Sequence, residues 1–153
     1  MPSRSIDTPI GTLGLIATEA GLSRVRWSAK GLPEERCAVL DDAAAQLQAY
    51  FAGELTEFDL PLDLNGSEFQ RRCWLALATI PYGQTVSYGE QARRLGLGPA
   101  AARAVGAANG QNPLPVVLPC HRVIGADGSL TGFGGGLHIK RSLLEHEGAL
   151  LPL

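Results

Sequence analysis

Cysteine is scarce in this chain of 153 residues: Cys37, Cys73 and Cys120 are all there is. An odd number without paired spacing argues against a disulfide framework. Histidine is as rare, confined to His121, His138 and His146. No CxxC or HxxxH spacing occurs, so no metal site is predicted. No apolar run approaches the roughly 20 residues of a membrane span. No basic, apolar leader opens the chain, and the simplest expectation is a cytoplasmic protein without a membrane partner. No GxGxxG precedes an acidic residue, which sets a dinucleotide aside, and no cofactor is expected. Charge is modest too, 18% of residues with a net of −2, which at face value argues against a nucleic-acid partner.

What is present reads as an ordinary globular chain, 45% hydrophobic and long enough for one or two cores. Its charge is uneven. Residues 1–62 carry five Lys and Arg against nine Asp and Glu, a net of −4. Residues 63–153 carry eight against six, a net of +2. That asymmetry points weakly to a polyanion partner for the second half.

Residues 1–30 read as a β-meander, with Ile10–Ala17 and Leu22–Trp27 alternating as half-buried strands do. Asp41 or Asp42 is expected to cap a helix that gathers Ala44, Leu47, Tyr50 and Phe51 on one face and stops at Gly53. Phe58–Gly66 reads as a linker. Two domains follow, residues 1–64 and 65–153, of α+β class.

Ser67 with Gln70 forms a capping box for a helix striped with Phe69, Cys73, Trp74 and Leu77. Ser87 with Glu90 reads as a second box, for a short helix stopped at Gly96. Pro99 then opens a helix from Ala100 to Asn109. Two short helices across a tight Gly turn outline a helix-turn-helix. In the second, apart from Arg103 and Val105, side chains are almost all hydrogen or methyl. Such a helix either packs closely on its neighbours or fits closely against something narrow. It offers few groups to base edges, so a minor-groove shape reader with one cationic probe suits it better than a sequence reader.

Pro113, Pro115 and Pro119 stiffen the loop that leads to Cys120-His121-Arg122, and Val123-Ile124 reads as a short strand that turns back through Asp127-Gly128. Cys120 is then either a packed thiol or a nucleophile at a rigid mouth. The glycines around Phe133 read as a flexible loop or as a pocket wall on which the ring stacks. Leu137–Glu147 is expected to be helical, with Gly148 as its stop.

In this order, Ser87-Tyr88-Gly89, Ala102-Arg103-Ala104-Val105-Gly106, Asn112-Pro113, Pro119-Cys120-His121-Arg122-Val123, Gly134-Gly135-Gly136 and His146-Glu147-Gly148 resemble the O6-alkylguanine-DNA alkyltransferases, the suicidal methylated-DNA–protein-cysteine methyltransferases. The match covers residues 67–153 well and residues 1–62 loosely. Some members carry zinc in the N-terminal domain, but the Cys and His that this needs are absent here.

The resemblance implies an RNase H-like first domain and a winged-helix-like second domain that binds DNA. Its partner would be double-stranded DNA bearing O6-alkylguanine, and O4-alkylthymine with it. The chain would act as a monomer that can load cooperatively. Cys120 would be the nucleophile and His121 its base through a water, because neighbours on an extended chain face apart. Glu147 would orient the imidazole. Tyr88 would donate to guanine N3, and Asn112 would brace the active-site turn. Arg103 would fill the place of the flipped base, with Ala102, Ala104 and Gly106 close to the groove and Arg122 also on DNA. Pro115 and Phe133 would line the base pocket, and the Gly134 N–H would meet O6. Phe133 stands where many members have Tyr, Gln111 where a small residue is common, and Gly134 where some have Ser. A lesion sensor of this kind lacks the thiol, which Cys120 supplies. A cysteine hydrolase would leave Arg103 unexplained.

Overall fold

The computed structural model describes residues 1–150; the last three residues of the expected second domain lie outside that range. The chain divides into two compact units, Met1–Asn65 and Gly66 onward.

The first unit is built on strands β1 (Ser3–Thr8), β2 (Gly11–Thr18) and β3 (Gly21–Arg26), antiparallel in the order β1-β2-β3. Alternation sends Leu13, Leu15 and Ala17 to one face, where they are buried with Ile6, Leu22 and Val25. Helix α1 (Ala38–Phe51) lies on that face and buries Leu40, Ala43, Ala44, Leu47 and Tyr50. Each fully buried leucine contributes about 1.5–3 kcal/mol relative to exposure.

Two sequence expectations change here. α1 starts at Ala38 behind Cys37, with no side-chain cap, instead of at Asp41 or Asp42. Starting earlier buries Leu40, and Asp41 is drawn into ion pairs with Arg4 at 3.0 Å and Arg36 at 3.2 Å. Part of the supposed linker belongs to the sheet: the Leu22 N–H donates to Pro61 O at 2.8 Å and the Asp63 N–H to Leu22 O at 2.9 Å.

The second unit opens with α2 (Glu68–Leu77) behind a complete capping box, Gln70 N–H to Ser67 Oγ at 3.1 Å and Ser67 N–H to Gln70 Oε1 at 2.9 Å. Cys73, Trp74 and Leu77 are its buried stripe. A short strand β4 (Val86–Ser87) leads into α3 (Tyr88–Arg94). Here only half the expected box forms: Ser87 Oγ accepts from Glu90 N–H at 3.0 Å, while the Glu90 carboxylate pairs with Arg93 and Arg94.

α3 ends in a Schellman turn, with the Leu97 N–H on Ala92 O and the Gly96 N–H on Arg93 O, both at 2.9 Å. Gly96 takes a φ of +79° there, which suits a residue without Cβ. A 3-10 turn, Pro99–Ala101, enters α4 (Ala102–Gly110), so the expected helix begins as the tighter form. Val105, Ala108 and Asn109 face inward. Arg103, Ala104, Ala107 and Gly110 fall on the exposed face. Strand β5 (Val123–Ile124) pairs with β4 in parallel, not with the chain that follows its turn. The turn itself forms, with the Gly125 N–H on Ser129 O at 2.8 Å. Helix α5 (Leu137–His146) closes the described unit. Among the described residues no helix is long and apolar enough to cross a membrane.

Candidate active site

The approach to Cys120 is a buried turn. The Leu118 N–H donates to Leu114 O at 2.8 Å, and Val116 between them has a φ of +73° while almost fully buried. A left-handed backbone costs an ordinary residue roughly 1–2 kcal/mol, so the surroundings must fix it. Asn112 does so from both ends: its Nδ2 donates to Leu118 O at 2.8 Å and its Oδ1 accepts from Leu114 N–H at 2.9 Å. Pro115 is buried in the middle of this turn. The prolines stiffen the segment without leaving it extended, because the freed backbone groups find partners at short range.

Cys120–Arg122 then forms a 3-10 turn, where an extended mouth was expected. The Cys120 N–H is taken by Leu118 O at 2.8 Å and the Arg122 N–H by Pro119 O at 3.0 Å. The tight turn drives His121 fully inward while Cys120 keeps some surface.

His121 and Glu147 meet with both side chains wholly buried, Nε2 to Oε2 at 2.8 Å. Glu147 stands at the C-cap of α5. Gly148, at a φ of +76°, fixes it there, with the Ala149 N–H on Leu144 O at 2.8 Å and the Gly148 N–H on Glu145 O at 3.0 Å. A carboxylate only accepts, so Nε2 carries the hydrogen and Nδ1 is left as the acceptor of a neutral ring. That Nδ1 is buried and has no hydrogen-bond partner among the described residues.

Arg122 departs from the sequence expectation of a DNA contact. It is 5% exposed and forks onto Glu147, Nε to Oε1 at 2.8 Å and Nη2 to Oε2 at 3.0 Å. Its Nη1 donates to Ile80 O at 2.6 Å, and the guanidinium lies 5.7 Å from the Tyr82 ring centroid. Planar bidentate geometry against the buried Glu147 carboxylate pulled it inward.

Tyr88, the first residue of α3, sends its hydroxyl to Thr131 O at 3.3 Å and accepts from Thr131 Oγ1 at 3.3 Å. Its ring passes Gly106 of α4, where an added Cβ would meet it at 3.5 Å, an ordinary contact. Phe133 is half-buried and Gly134 exposed in the glycine loop. Ala102 and Gly106 are half-buried, and Arg103 and Ala104 exposed, on α4.

The chain as a whole has known counterparts. Residues 68–149 match the family described as 6-O-methylguanine DNA methyltransferase, DNA binding domain, and residues 2–64 its ribonuclease-like domain. The chain belongs to the 6-O-methylguanine DNA methyltransferase family. A Mycobacterium tuberculosis relative named methylated-DNA–protein-cysteine methyltransferase is 53% identical, over 97% of this chain and 93% of its own length. One from Methanosarcina acetivorans with the same name is 48% identical, over 94% and 96%. The crystal structure of M. tuberculosis OGT in complex with DNA matches with a TM-score of 0.88 at 51% identity, over 97% of this chain and 94% of that one.

Within this methyltransferase scaffold, electrostatics prepare thiol and imidazole differently. Desolvation pushes the Cys120 thiol up, with the Asn112 amide and the Lys140 charge pulling it back. Desolvation pushes His121 down, against the pull of Glu147, so the ring is neutral near pH 7. Lys140 is the residue that sequence reasoning missed. It is fully buried on α5, with Nζ donating to Val123 O at 2.7 Å and Thr131 O at 2.8 Å, 6.0 Å from the Tyr88 ring centroid. Burial lowers it to about 8. The signal was available: Lys140 shares the stripe of Leu143, Leu144 and Glu147, where two charges interrupt the apolar face. The structure thus gathers Cys120, His121, Arg122, Glu147, Asn112 and Lys140, and ties Tyr88 to them through Lys140 and Thr131. No cluster of three or more His, Cys, Asp or Glu able to hold a metal occurs among the described residues.

Proposed function

We propose that this chain repairs DNA by moving the alkyl group of O6-alkylguanine, and of O4-alkylthymine, onto Cys120 in a single irreversible turn. The observation that carries the reading is the Cys120 turn set beside the buried His121–Glu147 pair, with His121 Nδ1 left as acceptor. Relatives named methylated-DNA–protein-cysteine methyltransferase over nearly the whole chain support it. So does the likeness to an OGT in complex with DNA, and the partner in this reading is duplex DNA.

The second domain, residues 65–153, would bind the DNA and carry the chemistry, with residues 1–64 as a separate domain. Arg103, exposed on a helix of small residues, enters the minor groove and takes the place of the flipped base. Unstacking costs a few kcal/mol, least at a badly paired lesion, so an occupant of the gap holds the open state. Ala102, Ala104 and Gly106 let α4 approach. Phe133 stacks on the purine beside Pro115, and the Gly134 N–H meets O6.

The Cys120 proton passes through one water to His121 Nδ1, and Glu147 stabilises the imidazolium. The thiolate attacks the alkyl carbon: an S–C bond forms, the C–O6 bond breaks, and its electron pair stays on guanine. The Tyr88 hydroxyl eases that charge by donating to N3, exchanging its Thr131 partner for the base. An alkyl thioether does not hydrolyse in neutral water, so each molecule acts once. The monomer works in the cytoplasm, where its three free thiols stay reduced.

The test is a duplex oligonucleotide carrying O6-methylguanine, incubated without added metal or cofactor. Mass spectrometry should find one methyl group per protein, on Cys120. Repeated turnover, or methylation at Cys37 or Cys73 instead, would sink the reading.

A further inference from the structure

The helix that bears Arg103 has little shape with which to find its place. Towards the interior, α4 presents Val105 and Ala108 to Cys73 of α2 and Ala92 of α3, with half-buried Phe69, Leu95, Leu97 and Ala101 at the margin. Dispersion grows with the number of interlocked atoms, so methyl-sized knobs resist sliding weakly. A slip of one residue would turn Arg103 by about 100° around the helix axis. Packing this smooth leaves the register underdetermined.

Directional bonds supply what packing lacks. Gln91 of α3 and Asn109 of α4 are buried and exchange amides: Asn109 Nδ2 donates to Gln91 Oε1 at 2.8 Å, and Gln91 Nε2 to Asn109 Oδ1 at 3.2 Å. The same Gln91 Nε2 reaches Cys73 O on α2 at 3.2 Å. Trp74 Nε1 donates to Ala108 O at 2.7 Å, a carbonyl in the last turn of α4 that also accepts from the C-cap Gln111 N–H at 3.0 Å. Three helices are therefore cross-pinned at neighbouring positions of α4. A slipped helix would leave two buried amides and an indole N–H unpaired, and a buried polar group without a partner is destabilising.

We propose that Gln91 and Asn109, with Trp74, are positioning residues for repair of duplex DNA: their hydrogen bonds fix the register of α4 and so decide where Arg103 meets the helix of DNA. The inference rests on the reading of Arg103 as the base-displacing probe. None of the three touches the reacting atoms.

The experiment compares transfer from an O6-methylguanine duplex with transfer from free O6-benzylguanine, in the full chain. The double variant Gln91→Met/Asn109→Leu removes both partners together, which leaves no orphaned amide. It should keep most of the free-base rate, and on duplex lose at least tenfold in the maximal single-turnover rate with little change in DNA affinity. The exchanged variant Gln91→Asn/Asn109→Gln restores a reciprocal pair and should recover most of that loss. A double variant that repairs duplex at the wild-type rate, or that loses both reactions alike, overturns the proposal. If it does not fold, Trp74→Phe, which keeps the ring and deletes one donor, carries the same expectation and the same refutation. Wild-type protein that fails on duplex would instead refute the proposed function.

Discussion

Arg122 and Glu147 form a buried two-pronged ion pair, and the Glu147 oxygen that takes Arg122 Nη2 at 3.0 Å also takes His121 Nε2 at 2.8 Å. One carboxylate is thus shared between a permanent cation and the imidazole. Arg122 sets the plane of the acid, and the acid sets the tautomer of the imidazole.

Arg122→Met should accordingly behave as the loss of a buried partner. Breaking such a pair costs about 3–5 kcal/mol, so the melting temperature should drop by many degrees and transfer should slow. Affinity for undamaged duplex should stay close to wild type. Arg122→Lys should rescue only part, since an ammonium cannot fork across both oxygens. A large fall in DNA affinity with an unchanged melt would return Arg122 to the DNA surface.

His121→Gln tests the proton path. The Cys120 thiol lies above its ordinary value of 9.0 because it is desolvated, so without a base little thiolate exists near neutrality. Loss of a general base commonly costs ~10²–10⁴ in rate. The residual rate should continue to climb with pH where the wild-type rate has levelled. Parallel profiles for the two proteins would remove His121 from the path.

Stability should fall on mild acidification. Burial holds folded His121 below its ordinary 6.5, while the unfolded ring keeps that value. Between the two values the unfolded chain binds the extra proton, so stability rises with pH there and is lost as pH drops through the window. Melting temperatures between about pH 7 and about pH 5 should show this, set against the background of the carboxylates. His121→Gln should have a shallower slope; an equal slope in both proteins would assign the acid sensitivity elsewhere.

Arg103→Ala should impair duplex repair far more than reaction with free O6-benzylguanine, because only the duplex has a gap to fill. With flipping worth a few kcal/mol, a loss of ten- to a hundredfold on duplex is expected. Equal losses in rate assays on the two substrates would mean that Arg103 does not act as the plug.

The meander, the α1 face, the Ser67–Gln70 box and the stop at Gly96 were legible because each rests on neighbours within a few residues. The contact between His121 and Glu147 was legible only through the resemblance, since no local rule joins positions 26 apart. Arg122 was misplaced and Lys140 overlooked for one reason. A cation written in a sequence defaults to solvent, and burial becomes favourable only when distant carbonyls or a carboxylate converge on it. The Asp41 cap and the second capping box failed likewise: arginines nearby in space or sequence competed for the carboxylates of Asp41 and Glu90.

By itself the sequence determined where helices and strands could form and which chemistry was on offer around Cys120, because periodicity, caps and side-chain type are local properties. Only the tertiary structure decided what kind of mouth that thiol occupies. The 3-10 turn at Cys120, clasped by Asn112, sends His121 inward to Glu147, and Arg122 follows it. Hydrogen bonds between residues far apart in the chain form only after the backbone has brought them within 3 Å, and that closing distance is what the sequence does not spell out.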